Sequence, residues 1–141
     1  MGLALKTAHA CIERGFAKAQ ALGFKVAIAV VDDAGHLVAC ERMDGALWVT
    51  PEIARAKANA AAAFRATTLD LEERFNKGRQ IFADNVATLG DYQFVFGRGA
   101  VPLVENGQTV GAVGVSGAVP ADNDHAIADA AAGHPVPPTT H

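Results

Sequence analysis

Asp32, Asp33, Arg42 and Asp44 stand where two apolar runs end, in the stretch VVDDAGHLVACERMDGA over residues 30–46, and Lys57 follows inside an alanine-rich segment. Carboxylates can exchange protons with a substrate, and a guanidinium or ammonium can hold a substrate carboxylate. On a helix, Lys57 shares a side with Ile53, Ala54 and Ala61. A lysine there needs a carboxylate partner or a solvated cavity. Two accounts fit the cluster. In one, Arg42 or Lys57 pairs with Asp32 or Asp44 and pins a helix to a sheet edge. In the other, the cluster is an anion-binding corner for the carboxylate of a substrate or cofactor.

Other chemistries have weaker footing. GAVGVSG, residues 111–117, lacks the Lys-Ser/Thr of a P-loop and the spacing of a dinucleotide fold, so no nucleotide cofactor is expected. Its glycines, Gly111, Gly114 and Gly117, mark either tight packing of a helix over a strand or the floor of a pocket. Ser116 sits outside a G-x-S-x-G elbow and has no histidine base placed beside it. His9, His36, His125, His134 and His141 form no HxxxH or HxH pair, which gives no preformed zinc site. His9, near the apolar face of the opening helix, is a packing residue or a ligand to the iron of a bound macrocycle. His125 follows Asp124 where the last helix starts, as a surface residue or a proton exchanger.

These residues need elements to hold them. LALKTAHACIERGFAKAQAL, residues 3–22, has apolar residues at helical steps and Gly23 as its stop. FKVAIAVVD is too continuously apolar for a half-wet strand and is expected to be buried on both faces. DDAGH turns the chain, and HLVACER returns as an antiparallel partner. Thr50 is the expected N-cap of a helix over residues 52–66, with Pro51 at its first position. The alanine face of that helix should lie on the sheet or on a second copy of the chain. One or two short helices follow, broken near Gly78 and Gly90. QFVFG is a weak strand candidate. VPLVENG and TVGAVGVSG form a second hairpin around Asn106-Gly107. Asp122 or Asn123 would cap a last helix that Gly133 ends. Hairpins separated by helices argue for an α+β layer fold with an antiparallel sheet. Residues 1–133 form the expected single domain, and the proline-rich tail at 134–141 is expected to be mobile.

Composition narrows the partners. Of the 141 residues, half are apolar and 19% are charged, as in a packed globular domain. A net charge of −3 with mixed signs offers no basic field for nucleic acid and no polybasic membrane patch. Cys11 and Cys40 have no metal spacing and are expected as free thiols. Without an apolar leader or a run of about 18 apolar residues, the chain reads as cytoplasmic.

Taken in order, V-V-D-x-x-G, R-M-D-G-A, I-A-x-x-K-A and G-V-S-G with a later Asp resemble the GlcG/HbpS haem-binding (haem-degrading domain) family. The same domain ends the PduO-type corrinoid adenosyltransferases. The resemblance spans residues 3–133 and implies a profilin-like antiparallel sheet of about five strands with helices on its faces, an α/β/α arrangement. It also implies a dimer or larger homo-oligomer. Members are described as binding haem or corrinoids, or as accessory proteins in catabolic operons. The family pattern falls on Asp32, Arg42, Asp44, Lys57, Gly99, Gly114, Ser116, Gly117 and Asp124. This chain departs from it at Ala100 in place of a second glycine, at Asn59 where threonine is usual and at His125 where an acid is usual. Arg98 is a further departure beside that loop.

Two functional readings result. The first is a binding module for haem or a related tetrapyrrole, with Arg42, Lys57 and Arg98 as cations for the propionates and His9 as iron ligand. The second is a cofactor-independent tautomerase, isomerase or lyase of a small organic acid. There, Arg42 or Arg98 would orient the carboxylate, and Asp32, Asp124 or His125 would move protons.

Overall fold

In the computed structural model the described residues are 2–133, so the tail expected to be mobile lies outside them. The order is α1 (Leu5–Leu22), β1 (Ala27–Asp32), β2 (Leu37–Arg42), α2 (Thr50–Phe64), α3 (Thr68–Asn76), α4 (Gln80–Val86), β3 (Ala100–Glu105), β4 (Gln108–Ser116) and α5 (Ala121–Ala131). The strands form one antiparallel sheet in the order β2-β1-β4-β3. Both expected hairpins are present. β1, at the centre, is fully buried except at Asp32.

The sheet has four strands among the described residues, not the expected five. QFVFG forms none. Phe94 and Phe96 instead turn their rings onto Phe64, and Phe96 also meets Phe75. The Val95 N–H donates to the Ala56 carbonyl, so the segment runs along α2 and not beside a strand.

Cross-strand neighbours share a face, and the two faces of this sheet differ in bulk. Ile28, Val30, Val113 and Val115 meet Ile12, Ala19, Ile127 and Ala128 of α1 and α5. On the other face Val31, Ala100 and Ala112 meet Ala58, Ala61 and Ala62 of α2. Small residues on both sides let the α2 backbone descend onto β4. A Cβ at Gly114 would lie 2.1 Å from the Ala54 carbonyl oxygen. Helix packing therefore accounts for Gly114. It also settles the alanine face of α2, which is covered by the sheet of its own chain and not by a second copy.

Two helix starts differ from expectation. Val49 is the N-cap of α2, and the Thr50 hydroxyl donates backwards to the Leu47 carbonyl. The N-cap of α5 is Pro120, which has no polar side chain to cap it, and the expected Asp122 lies inside the first turn and accepts from Arg98.

Candidate functional site

Lys57 lies midway along α2, over the end of β4, and is 5% exposed. Its Nζ donates to the Val115 carbonyl at 3.0 Å and to Asp124 Oδ2 at 3.3 Å. Asp124, in the first turn of α5 and 4% exposed, accepts from the Ala118 N–H at 2.9 Å through its other oxygen. Burial pushes the Asp124 carboxyl above its usual range, while Lys57 and the Ala118 N–H pull it back down. Gly99 admits this contact. It sits at φ +133°, and a Cβ there would lie 2.9 Å from Lys57 Nζ.

The buried pair is therefore Lys57 with Asp124, in place of the expected Asp32 or Asp44. Asp32 serves its own turn, with Oδ1 accepting from the Ala34 and His36 N–H groups at 3.0 and 2.9 Å. Its second oxygen faces the exposed His36 ring at 3.6 Å. Arg42 and Asp44 are exposed. Arg42 is paired in register with Ala27, and its neighbour Glu41 with Ile28, so Arg42 is on the α2 side of β2. Arg98 ties α3 to α5 through Glu72 Oε2 at 2.9 Å and through Asp122, and these hydrogen bonds raise its already high pKa. His125 is buried with Nε2 3.3 Å from Asp129 Oδ2. His9 is exposed on α1.

One end of the sheet opens into a cleft of about 440 Å³. It gathers Gly45 from the R-M-D-G-A motif, Ser116 and Gly117 from G-V-S-G, and Asp124 backed by Lys57. Lys25 also lines it. Leu47 and Val119 form part of the lining yet stay largely exposed, beside Trp48 at 77% exposure. This apolar rim and Lys25 are absent from the sequence-based site. The legible signal was Leu47-Trp48-Val49, an apolar run in a loop with no strand or helix to bury it.

The cleft lining contains no histidine, cysteine or methionine. Among the described residues no group of three or more His, Cys, Asp or Glu side chains could hold a metal ion. His9 precedes Gly23, at the cleft, by 14 residues, which is about 21 Å along a helix. A macrocycle seated in the cleft would not reach it. On α1, His9 is exposed, with Lys6 and Leu5 also exposed one turn earlier, so this face could offer an imidazole, a cation and an apolar contact.

The family model described as "Haem degrading protein HbpS-like" matches residues 3–133. This chain belongs to that family. It is 41% identical over 116 residues to protein GlcG of Escherichia coli, covering 81% of each chain. It superposes on a crystal structure of Streptomyces reticuli HbpS, a double mutant, with a TM-score of 0.83 at 28% identity, covering 94% of this chain and 86% of that one. A PduOC–haem complex superposes with a TM-score of 0.83 at 25% identity, covering 94% of both chains. The shared fold matches the layers described above. Among the described residues no helix is long and apolar enough to cross a membrane.

Proposed function

We propose that this protein is an oligomeric ligand-binding member of the HbpS-like family that takes haem or a related tetrapyrrole, with His9 as the iron's imidazole. One observation carries the reading. Of the described histidines, His36 faces Asp32 and His125 is buried against Asp129, whereas His9 is exposed and its side chain makes no hydrogen bond or ion pair among the described residues. The haem complex of a relative with the same fold supports it. Leu5 would support the ring edge, and Lys6 would face a propionate. Bound haem would supply one-electron and oxygen chemistry, and His9 would be the residue that holds its iron. The free thiols Cys11 and Cys40 support a reducing, cytoplasmic setting.

Haem titration tests this directly. The Soret band should shift and saturate, and His9→Ala should change the axial-ligand spectrum while leaving the melting temperature within a degree or so of the parent, as expected for an exposed site. No Soret shift in the parent chain would overturn haem binding. An unchanged spectrum in the variant would remove His9 from it.

The end-of-sheet cleft favours a second reading. Asp124 is a buried acid with a raised pKa that lines a cleft beside Ser116, a combination found where protons are exchanged. Lys25 would hold the carboxylate of a small organic acid there.

A further inference from the structure

A second region, whose lining shares no residue with the cleft at Asp124, has the build of a binding site. A cavity of about 320 Å³ lies between the β1–β2 turn, α2 and the segment before β3, walled by Phe64, Tyr92, Phe94 and Val86. Tyr92 and Phe94 pack edge to face at 4.7 Å between centroids, and Phe64 meets Phe94 at 5.8 Å. A neighbouring cleft of about 510 Å³ shares Ala34, Gly35, Asn59 and Tyr92 with it, so the two adjoin.

The charges around this space are unequal. Asp33 lines the cavity, and Glu52 and Asp91 line the neighbouring cleft, against the single guanidinium of Arg55. With His36 neutral, the lining carries a net charge of −2. Asn59, 6% exposed, belongs to both linings. Its Nδ2 donates to the Gln93 carbonyl at 3.2 Å, which fixes the amide orientation and turns Oδ1 towards Gly35. That oxygen is buried and accepts no hydrogen bond among the described residues. An uncompensated carbonyl oxygen in a low-dielectric wall adds negative potential to the space beside it.

We infer that this region binds a small organic cation, an ammonium carried on an apolar or aromatic body. The body fills the space between the rings, whose faces attract cations. The ammonium lies towards Asn59 and the carboxylates. An anion of the same shape would meet three carboxylates and the unpaired carbonyl oxygen and be rejected.

Titration calorimetry on the full chain near neutral pH tests this, with phenethylamine as probe. Phenethyl alcohol and phenylpropionate serve as neutral and anionic controls. The amine should saturate and bind about tenfold tighter than the alcohol, and the acid should not bind. Asp33→Asn with Asp91→Asn, both on exposed loops, should weaken the amine about tenfold without changing the melting temperature. Asn59→Leu should weaken it about threefold, and Arg55→Gln should tighten it about threefold by removing the opposing cation. Equal affinity for amine and alcohol would overturn the inference. So would absence of saturable amine binding at millimolar concentration, or unchanged binding in the Asp33/Asp91 double variant. The double variant keeps the test decisive even if Asn59→Leu fails to fold.

Discussion

Lys57 was the residue whose chemistry was most open in the sequence, between strut and anion site. Both of its hydrogen bonds go to groups of its own chain, Val115 and Asp124. Removing one member of a buried pair strands the other, at a cost of about 3–5 kcal/mol. Lys57→Met keeps the apolar stem, so the loss expected near neutral pH is electrostatic, and thermal denaturation followed across pH measures it. The pH dependence has a definite sign. Asp124 titrates above its unfolded value of 3.8 because burial disfavours the charge. Below that raised value it is neutral in the folded state, and its contribution favours folding. The contribution is lost as pH rises through the raised value. The deficit of Lys57→Met should therefore shrink as the solution is acidified through the Asp124 titration. A deficit that stays constant with pH would mean that Lys57 acts through packing alone. Sequence reasoning found that Lys57 needed a partner, from its place among alanines. It named Asp124 only as a proton mover and not as that partner, because Asp124 is 67 residues away and reaches Lys57 only when α5 docks at the end of β4.

At the scale of elements, the contact of α2 with β4 organises the molecule. Alanine on the helix and glycine on the strand bring two backbones together, and no side chain is available there to yield. Gly114→Ala would place a methyl 2.1 Å from the Ala54 carbonyl oxygen, an obstacle made of backbone. The expected destabilisation is about 3 kcal/mol, at the upper end for overpacking, and a shifted denaturant midpoint would report it. An unchanged midpoint would mean that α2 can lift off the sheet at no cost. Hairpins were legible because turn residues and β-branched runs are local signals: Asn106 and Gly107 both take positive φ at the β3–β4 turn. QFVFG was misleading for a related reason. Aromatic and β-branched residues suit a strand, but the same residues also suit a ring cluster, and Phe64 and Phe75 were there to receive them.

For the whole molecule, the open matter is what covers its exposed apolar residues. Leu47, Trp48 and Val119 are 71–81% exposed around the end-of-sheet cleft. A grouping of that kind favours contact with another surface. We expect a dimer or larger homo-oligomer that buries this rim, and Trp48→Glu should reduce its mass in light scattering. A monomer mass for the parent chain at micromolar concentration would sink the expectation.

The sequence by itself determined the class of fold, the two hairpins, the helix stops at Gly23 and Gly133, and the family. Each is written in neighbouring residues or in motifs carried in order along the chain. Tertiary structure alone decided which charges meet. Arg98 reaches Glu72 and Asp122 across two helices, and Lys57 reaches Asp124. Ion pairs act over a few ångströms in space, whereas residue spacing records only distance along the chain. The Leu47–Val119 rim and the Asn59 cavity arise in the same way, from loops that meet only after the sheet has placed its strands.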